Sequence, residues 1–181
     1  MITRVAPTEF LIKYKQLHDS IFSGRLVYQR PFQSLDWDLI LIPGRQRFGV
    51  EFSDALEKAG RGCGDHNVIV TDFEPATATP HQYSIVMEWD SKAFWEIGRE
   101  LPCLISTNYH VFGRSGQWGM ICYFDDFSCV GGTESFMQTI TGQLGGKDTL
   151  RQQFLDHAQQ EGWLLTNELV QQILAAAGWN R

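Results

Sequence analysis

No apolar stretch of this chain approaches the roughly 20 residues that a membrane-spanning helix needs. Runs such as Leu39 to Pro43 are far too short, so no membrane span is expected. Cysteine is scarce and unpatterned: Cys63, Cys103, Cys122 and Cys129 form no C-x-x-C pair, so neither a zinc site nor a redox motif is expected. Nothing before Ile12 has the charged-then-apolar form of a signal segment, and four reduced thiols in a cytoplasmic protein are the expectation. The histidines His18, His66, His81, His110 and His157 are scattered, with no H-x-H or H-x-x-x-H among them, and no metal is expected. Nucleotide-binding patterns are missing too: there is no G-x-x-x-x-G-K-[ST], and Gly60-Arg61-Gly62 lacks the third glycine that opens a helix. No cofactor is implied. Basic residues are in the minority, 15 Lys plus Arg against 21 Asp plus Glu, for a net charge of −6. That balance argues against nucleic acid as a partner, because such binding rests on clustered Lys and Arg.

What is present suits one globular domain over residues 1–181. The chain is 43% apolar and 20% charged, large enough to bury a core without a disulfide or metal. Phe10, Tyr14, Leu17 and Ile21 recur at helical spacing after Pro7 and before Gly24, which predicts an N-terminal amphipathic helix. Leu39 to Ile42, then Phe48, Val50 and Phe52 in alternation beyond Pro43-Gly44, predict two strands joined by a turn. Lys58 to Asn67, with Gly60, Gly62 and Gly64, reads as a loop. Strands follow at Val68 to Phe73 and Tyr83 to Trp89, and Asp90 or Ser91 caps a short central helix through Ile97. Cys103 to Phe112 and Gln117 to Phe124 form a hairpin pair across Gly113-Arg114-Ser115-Gly116, and Phe127 to Val130 makes one more strand. Gly131-Gly132-Thr133 then turns into a helix carrying Phe136, Met137, Ile140 and Leu144. Two C-terminal helices follow, capped by Asp148 or Thr149 and by Thr166, the second stopped by Gly178. The order predicts an α+β fold: a largely antiparallel sheet packed with an N-terminal helix, a short central helix and C-terminal helices.

Two arrangements could carry catalysis. Cys63 lies three residues from His66 in the glycine-rich loop, so a thiolate activated by an imidazole is conceivable, although the same residues suit a turn whose glycines accept positive φ. The pairs Asp36 with Asp38 and Asp125 with Asp126 are the candidates for general acid and base, or for solvated strand ends. Either would make a small hydrolase-like cytoplasmic enzyme, which is the alternative reading.

Charge is unevenly placed. Gly62 to Ile97 holds Asp65, Asp72, Glu74, Glu88, Asp90 and Glu96 against Lys92 alone, and Gly116 to Gly146 holds Asp125, Asp126 and Glu134 with no base. These two stretches carry more negative charge than the whole chain, so the remainder is slightly basic. A segregated acidic face steers basic partners, and neighbouring aromatics such as Trp37 can anchor them. Asp125, Asp126, Asp36, Trp37, Asp38, Asp72 and Glu74 are therefore the candidate partner-binding residues.

The segment from Val111 through Gly113-Arg114-Ser115-Gly116, Trp118-Gly119, Asp125-Asp126-Phe127 and Gly131-Gly132 to Phe136 resembles the C-terminal hairpin, strand and helix of some immunity proteins of bacterial toxin systems. The resemblance implies a small cytoplasmic protein that blocks a cognate toxin domain by binding it. It transfers no individual functional residue, since the shared positions are scaffold. The leading expectation is thus a non-enzymatic bacterial binding protein whose partner is a basic toxin domain.

Overall fold

Seven strands hydrogen-bond into one sheet, every pairing antiparallel, in the computed structural model, which describes residues 2–23, 31–43, 50–72, 83–89, 108–123, 127–162 and 168–179. The strands are β1 (Ile2–Val5), β2 (Asp38–Pro43), β3 (Asn67–Asp72), β4 (Ser84–Glu88), β5 (Tyr109–Gly113), β6 (Trp118–Tyr123) and β7 (Phe127–Gly132). Their spatial order is β1-β4-β3-β5-β6-β7-β2. Six helices are described: α1 (Pro7–Lys13), α2 (Lys15–Ile21), α3 (Val50–Gly62), α4 (Glu134–Gln143), α5 (Lys147–Gln160) and α6 (Glu168–Ala176). The fold is α+β.

Helices cover the sheet on both faces, which explains why its central strands are apolar in runs rather than in alternation. Every residue of β5, β6 and β7 is buried. On one face Trp118 stacks on Phe136 of α4, ring centroids 5.3 Å apart, and on Trp89, 5.7 Å away, with α3 beside them. On the other face His110 and Phe112 of β5 and Gly119 of β6 lie beneath α2. α5 packs along β2, an edge strand, and sets Phe154 against Phe127 with centroids 5.9 Å apart.

Several expectations need correction. Val50 and Phe52 are helical, not the second strand of a hairpin: over 50–62 the buried residues Phe52, Ala55, Leu56 and Ala59 follow the i, i+3, i+4, i+7 rule, which outweighs a two-residue alternation. Phe48 lies outside the described residues. The same helix runs through most of the supposed loop, since α3 ends at Gly62. Gly60 faces Trp89, whose Cζ2 would lie 2.5 Å from a Cβ there, so this glycine admits a tryptophan rather than a turn. Gly64, at φ 84°, is where the chain does turn. The N-terminal helix is two helices, broken at Tyr14, whose φ of −126° leaves the helical region, and a short strand, β1, precedes them. Gly131 and Gly132 belong to β7, not to a turn. Thr133 holds the N-cap position of α4 without a capping hydrogen bond, and the N-cap of α5 is Gly146, with Asp148 in the first turn where the helix dipole favours an acid. The expected helix at Asp90 to Ile97 and the cap at Thr166 lie outside the described residues.

Candidate functional site

The segment before β2 is held down by one aromatic residue. Phe32 is buried and pairs in an isolated antiparallel bridge with Phe22, while Gln33 N–H donates to Ile21 O at 2.9 Å. Its ring lies 5.5 Å from that of Trp37, which packs half-buried against the core. Between these anchors the chain bends outward and exposes Leu35, 79% accessible, followed by Asp36. Asp38 then opens β2 with its side chain 47% exposed.

These acids line an open cleft of about 360 Å³. Its second wall is one face of α4, Glu134, Met137, Gln138 and Thr141, at the i, i+3, i+4, i+7 positions that a helix presents together. Gln138 donates to Glu134 at 2.9 Å, and the Thr141 hydroxyl turns back to Met137 O at 2.7 Å. Lys147, the first residue of α5, closes the end by pairing with Asp38. A cation at a helix N-terminus is disfavoured by the dipole, and the Asp38 carboxylate offsets this while tying β2 to α5. Asp36 and Glu134 have no ion-pair partner among the described residues, so the cleft keeps an excess of negative charge. An exposed leucine beside unpaired carboxylates suits a basic, partly apolar surface.

The other expected acids are elsewhere. Asp72 is 6% exposed and accepts from Tyr83 N–H at 2.8 Å, a buried group that fixes the end of β3. Its row across the sheet runs through Tyr109, Cys122 and Ser128 to Ile42, whereas Asp38 starts β2 at the opposite end and four strands away. At about 4.8 Å per strand and 3.3 Å per residue the separation exceeds roughly 20 Å, so Asp72 and Asp38 do not share a surface. Asp125, Asp126 and Glu74 lie outside the described residues. Leu35, Glu134, Gln138 and Lys147 were not singled out as site residues. The α4 periodicity marks a face for them, but only the fold brings that face to β2.

The cysteine loop lacks the features of an activated nucleophile. Cys63 is half-buried, and burial, helped by the charge of Asp65, pushes its thiol above the ordinary pKa, opposite to the depression that a reactive thiolate needs. His66 is exposed. Cys122 and Cys129 are free thiols facing opposite sides of the sheet, since Cys129 sits opposite Ile121 and Cys122 opposite Ser128. Cys103 lies outside the described residues. Iodoacetamide near neutral pH should modify Cys63 about threefold more slowly than cysteine in a short unstructured peptide, as followed by mass spectrometry. Faster modification than in the peptide would restore the enzyme reading.

No group of three or more His, Cys, Asp or Glu among the described residues is placed to hold a metal ion, and no helix among them is long and apolar enough to cross a membrane. The fold and the cleft define an α+β protein with an open acidic surface beside an edge strand. Compared with known families, curated proteins and solved structures, the chain matches no family model, no curated protein and no solved structure.

Proposed function

We propose that this chain is a non-enzymatic binding protein, an immunity protein of the bacterial cytoplasm that neutralises a cognate toxin by covering a basic surface of it. The observation that carries the reading is the convergence of Asp36, Asp38 and Glu134, from segments about a hundred residues apart, around one cleft, with Leu35 exposed next to Asp36 in the chain. Toxin domains that act on nucleic acids present basic clefts, and carboxylates on a complementary surface accelerate encounter, while an exposed apolar side chain beside them slows release. Asp36, Trp37 and Asp38 stay in this proposal; Asp72, being buried, leaves it. The alternative of a hydrolase centred on Cys63 and His66 gains no support from a thiol whose pKa is raised.

The test is pull-down from the native host, co-expression with any captured toxin for growth rescue, then binding kinetics across a salt series. Growth rescue is expected, with association slowing steeply as salt rises from about 0.05 M to about 1 M, where the Debye length is roughly 3 Å, and dissociation nearly constant. The double substitution Asp36→Lys and Glu134→Lys should weaken binding at least about tenfold and cost about 1–2 kcal/mol of stability, chiefly because a cation at position 134 opposes the dipole of α4. Absence of rescue, or affinity indifferent to both salt and charge reversal, refutes the proposal.

A further inference from the structure

Two histidines that are 92 positions apart in sequence meet inside the molecule. His18 of α2 is 3% exposed and His110 of β5 fully buried, and His18 Nε2 lies 2.7 Å from His110 Nδ1. The surroundings are aromatic: the Phe22 ring stacks on His110 with centroids 3.9 Å apart, and Phe10 and Phe112 meet His18 edge-on at 6.0 and 5.8 Å. We infer that this contact is a pH-operated latch holding the α1–α2 layer on the sheet, so that acidification loosens that layer before it loosens the sheet.

The proton positions follow from the partners. His18 Nδ1 lies 3.1 Å from Asp19 Oδ1, and a carboxylate only accepts, so Nδ1 carries the hydrogen. Neutral His18 then presents a bare Nε2, and the 2.7 Å contact requires His110 Nδ1–H to donate to it. The neutral pair thus forms one ordered chain from His110 through His18 to Asp19. A proton added at His18 Nε2 sets two N–H groups head-on. The contact survives only if His110 surrenders its Nδ1 proton and takes up one at Nε2. A second added proton closes that escape and leaves two cations in contact at a site remote from water.

Among the described residues, the groups packed against the pair, the charged and polar ones included, are these. From α2 come Lys15 and Asp19, which pair with each other; from α1 comes Phe10, and from the break between the two helices Tyr14, whose hydroxyl accepts from Arg114 at 3.0 Å. In the sheet His110 stands opposite Ile121 of β6 and Thr71 of β3, and the Thr71 hydroxyl is engaged with Ser84 at 2.8 Å. Burial pushes the His18 pKa below its ordinary value, and Asp19 recovers only part of that shift. Asp19 remains ionised: burial raises its pKa, but Lys15 and His18 more than reverse the effect. Since the folded His18 ring resists protonation while an unfolded histidine takes its proton near pH 6.5, its contribution is complete above about pH 6.5 and is lost as pH falls below it.

The experiment combines imidazole nitrogen NMR with amide hydrogen exchange on the intact chain, from about pH 7.5 to about pH 5. Both rings are expected to stay neutral at pH values where a free-histidine reference is already protonated. Protection of the amides of 15–22 should fall about tenfold or more relative to those of β5 and β6, after correction for intrinsic exchange. The double variant His18→Leu and His110→Leu, apolar and unable to titrate, should abolish that differential loss. The inference is overturned if the two rings titrate with the reference, if α2 and the sheet lose protection together, or if the double variant keeps the differential. Should the variant fail to fold, the two measurements on the unaltered chain decide alone.

Discussion

Replacing Asp65 by Ala should destabilise the fold by about 3–5 kcal/mol, a larger cost than for any surface acid of the chain. Asp65 is 2% exposed, directly after the α3 turn, and its carboxylate collects three donors. Ser115 N–H and Ser115 Oγ each donate at 2.7 Å, and Trp118 Nε1 donates at 2.8 Å. Hydrogen bonds to an ionised acceptor are worth about 1.5–3 kcal/mol each, more than neutral ones. Ser115 is exposed, so water can replace its lost acceptor. Trp118 is fully buried between Trp89 and Phe136, so its indole N–H would be left without an acceptor in an apolar layer. The site tolerates no crowding either: a Cβ on Gly113 would run into the Asp65 carboxylate and come within 2.6 Å of Trp118 Nε1. For a chain of this length each kcal/mol shifts Tm by about 2–4 °C, so calorimetry should show a fall of about 10 °C. Asp65→Asn, which keeps one acceptor oxygen but points an N–H₂ group at donors, should cost about 2 kcal/mol. A loss below about 1 kcal/mol for the alanine variant would show that the turn holds without the carboxylate.

The Asp65 cluster is not legible in the sequence. In the sequence Asp65 stands out only as one acid among those between Gly62 and Ile97, because composition along the chain is what a sequence displays. Its true partners, Ser115 and Trp118, lie 50 and 53 positions away, and pairing β3 with β5 is what brings them together. The strands themselves were legible where their apolar runs were long, as in Val68-Ile69-Val70 and Met120-Ile121-Cys122, since such runs suit strands buried on both faces. Helix α3 was misread because a glycine inside a helix looks like a loop until the tryptophan it accommodates is known. At the cleft, Asp36 and Asp38 were readable as a carboxylate pair, whereas Glu134 and Lys147 joined them only through the contacts of β2 with β7 and α5. Asp72 was misplaced for the converse reason: an acid at a strand end usually faces water, and here a backbone N–H satisfies it inside.

Gly131→Val should destabilise the protein by about 3 kcal/mol and loosen the segment that presents Leu35 and Asp36. Gly131 of β7 stands opposite Gly119 of β6 and Leu39 of β2, and the two glycines form a trough in an otherwise filled sheet face. Ile21 and Phe22 occupy the Gly119 side, where a Cβ would meet Ile21 Cγ2 at 2.7 Å. Phe32 occupies the Gly131 side, where a Cβ would meet its Cδ2 at 2.6 Å. That ring has little room to retreat, being 3% exposed, with Phe22 at 5.9 Å and Trp37 at 5.5 Å between centroids. A branched side chain must therefore lift Phe32, and with it the bend that leads into the acidic cleft. Shortening the obstacle should relieve the strain, so Phe32→Leu combined with Gly131→Ala should be more stable than the sum of the single effects by about 1 kcal/mol or more. Denaturant titration of the four proteins measures this coupling, and hydrogen exchange over residues 33–37 reads the loosening directly. Strict additivity, or Gly131→Val within about 0.5 kcal/mol of the parent, would mean that Phe32 does not rest on Gly131 and that the cleft segment is held by other contacts.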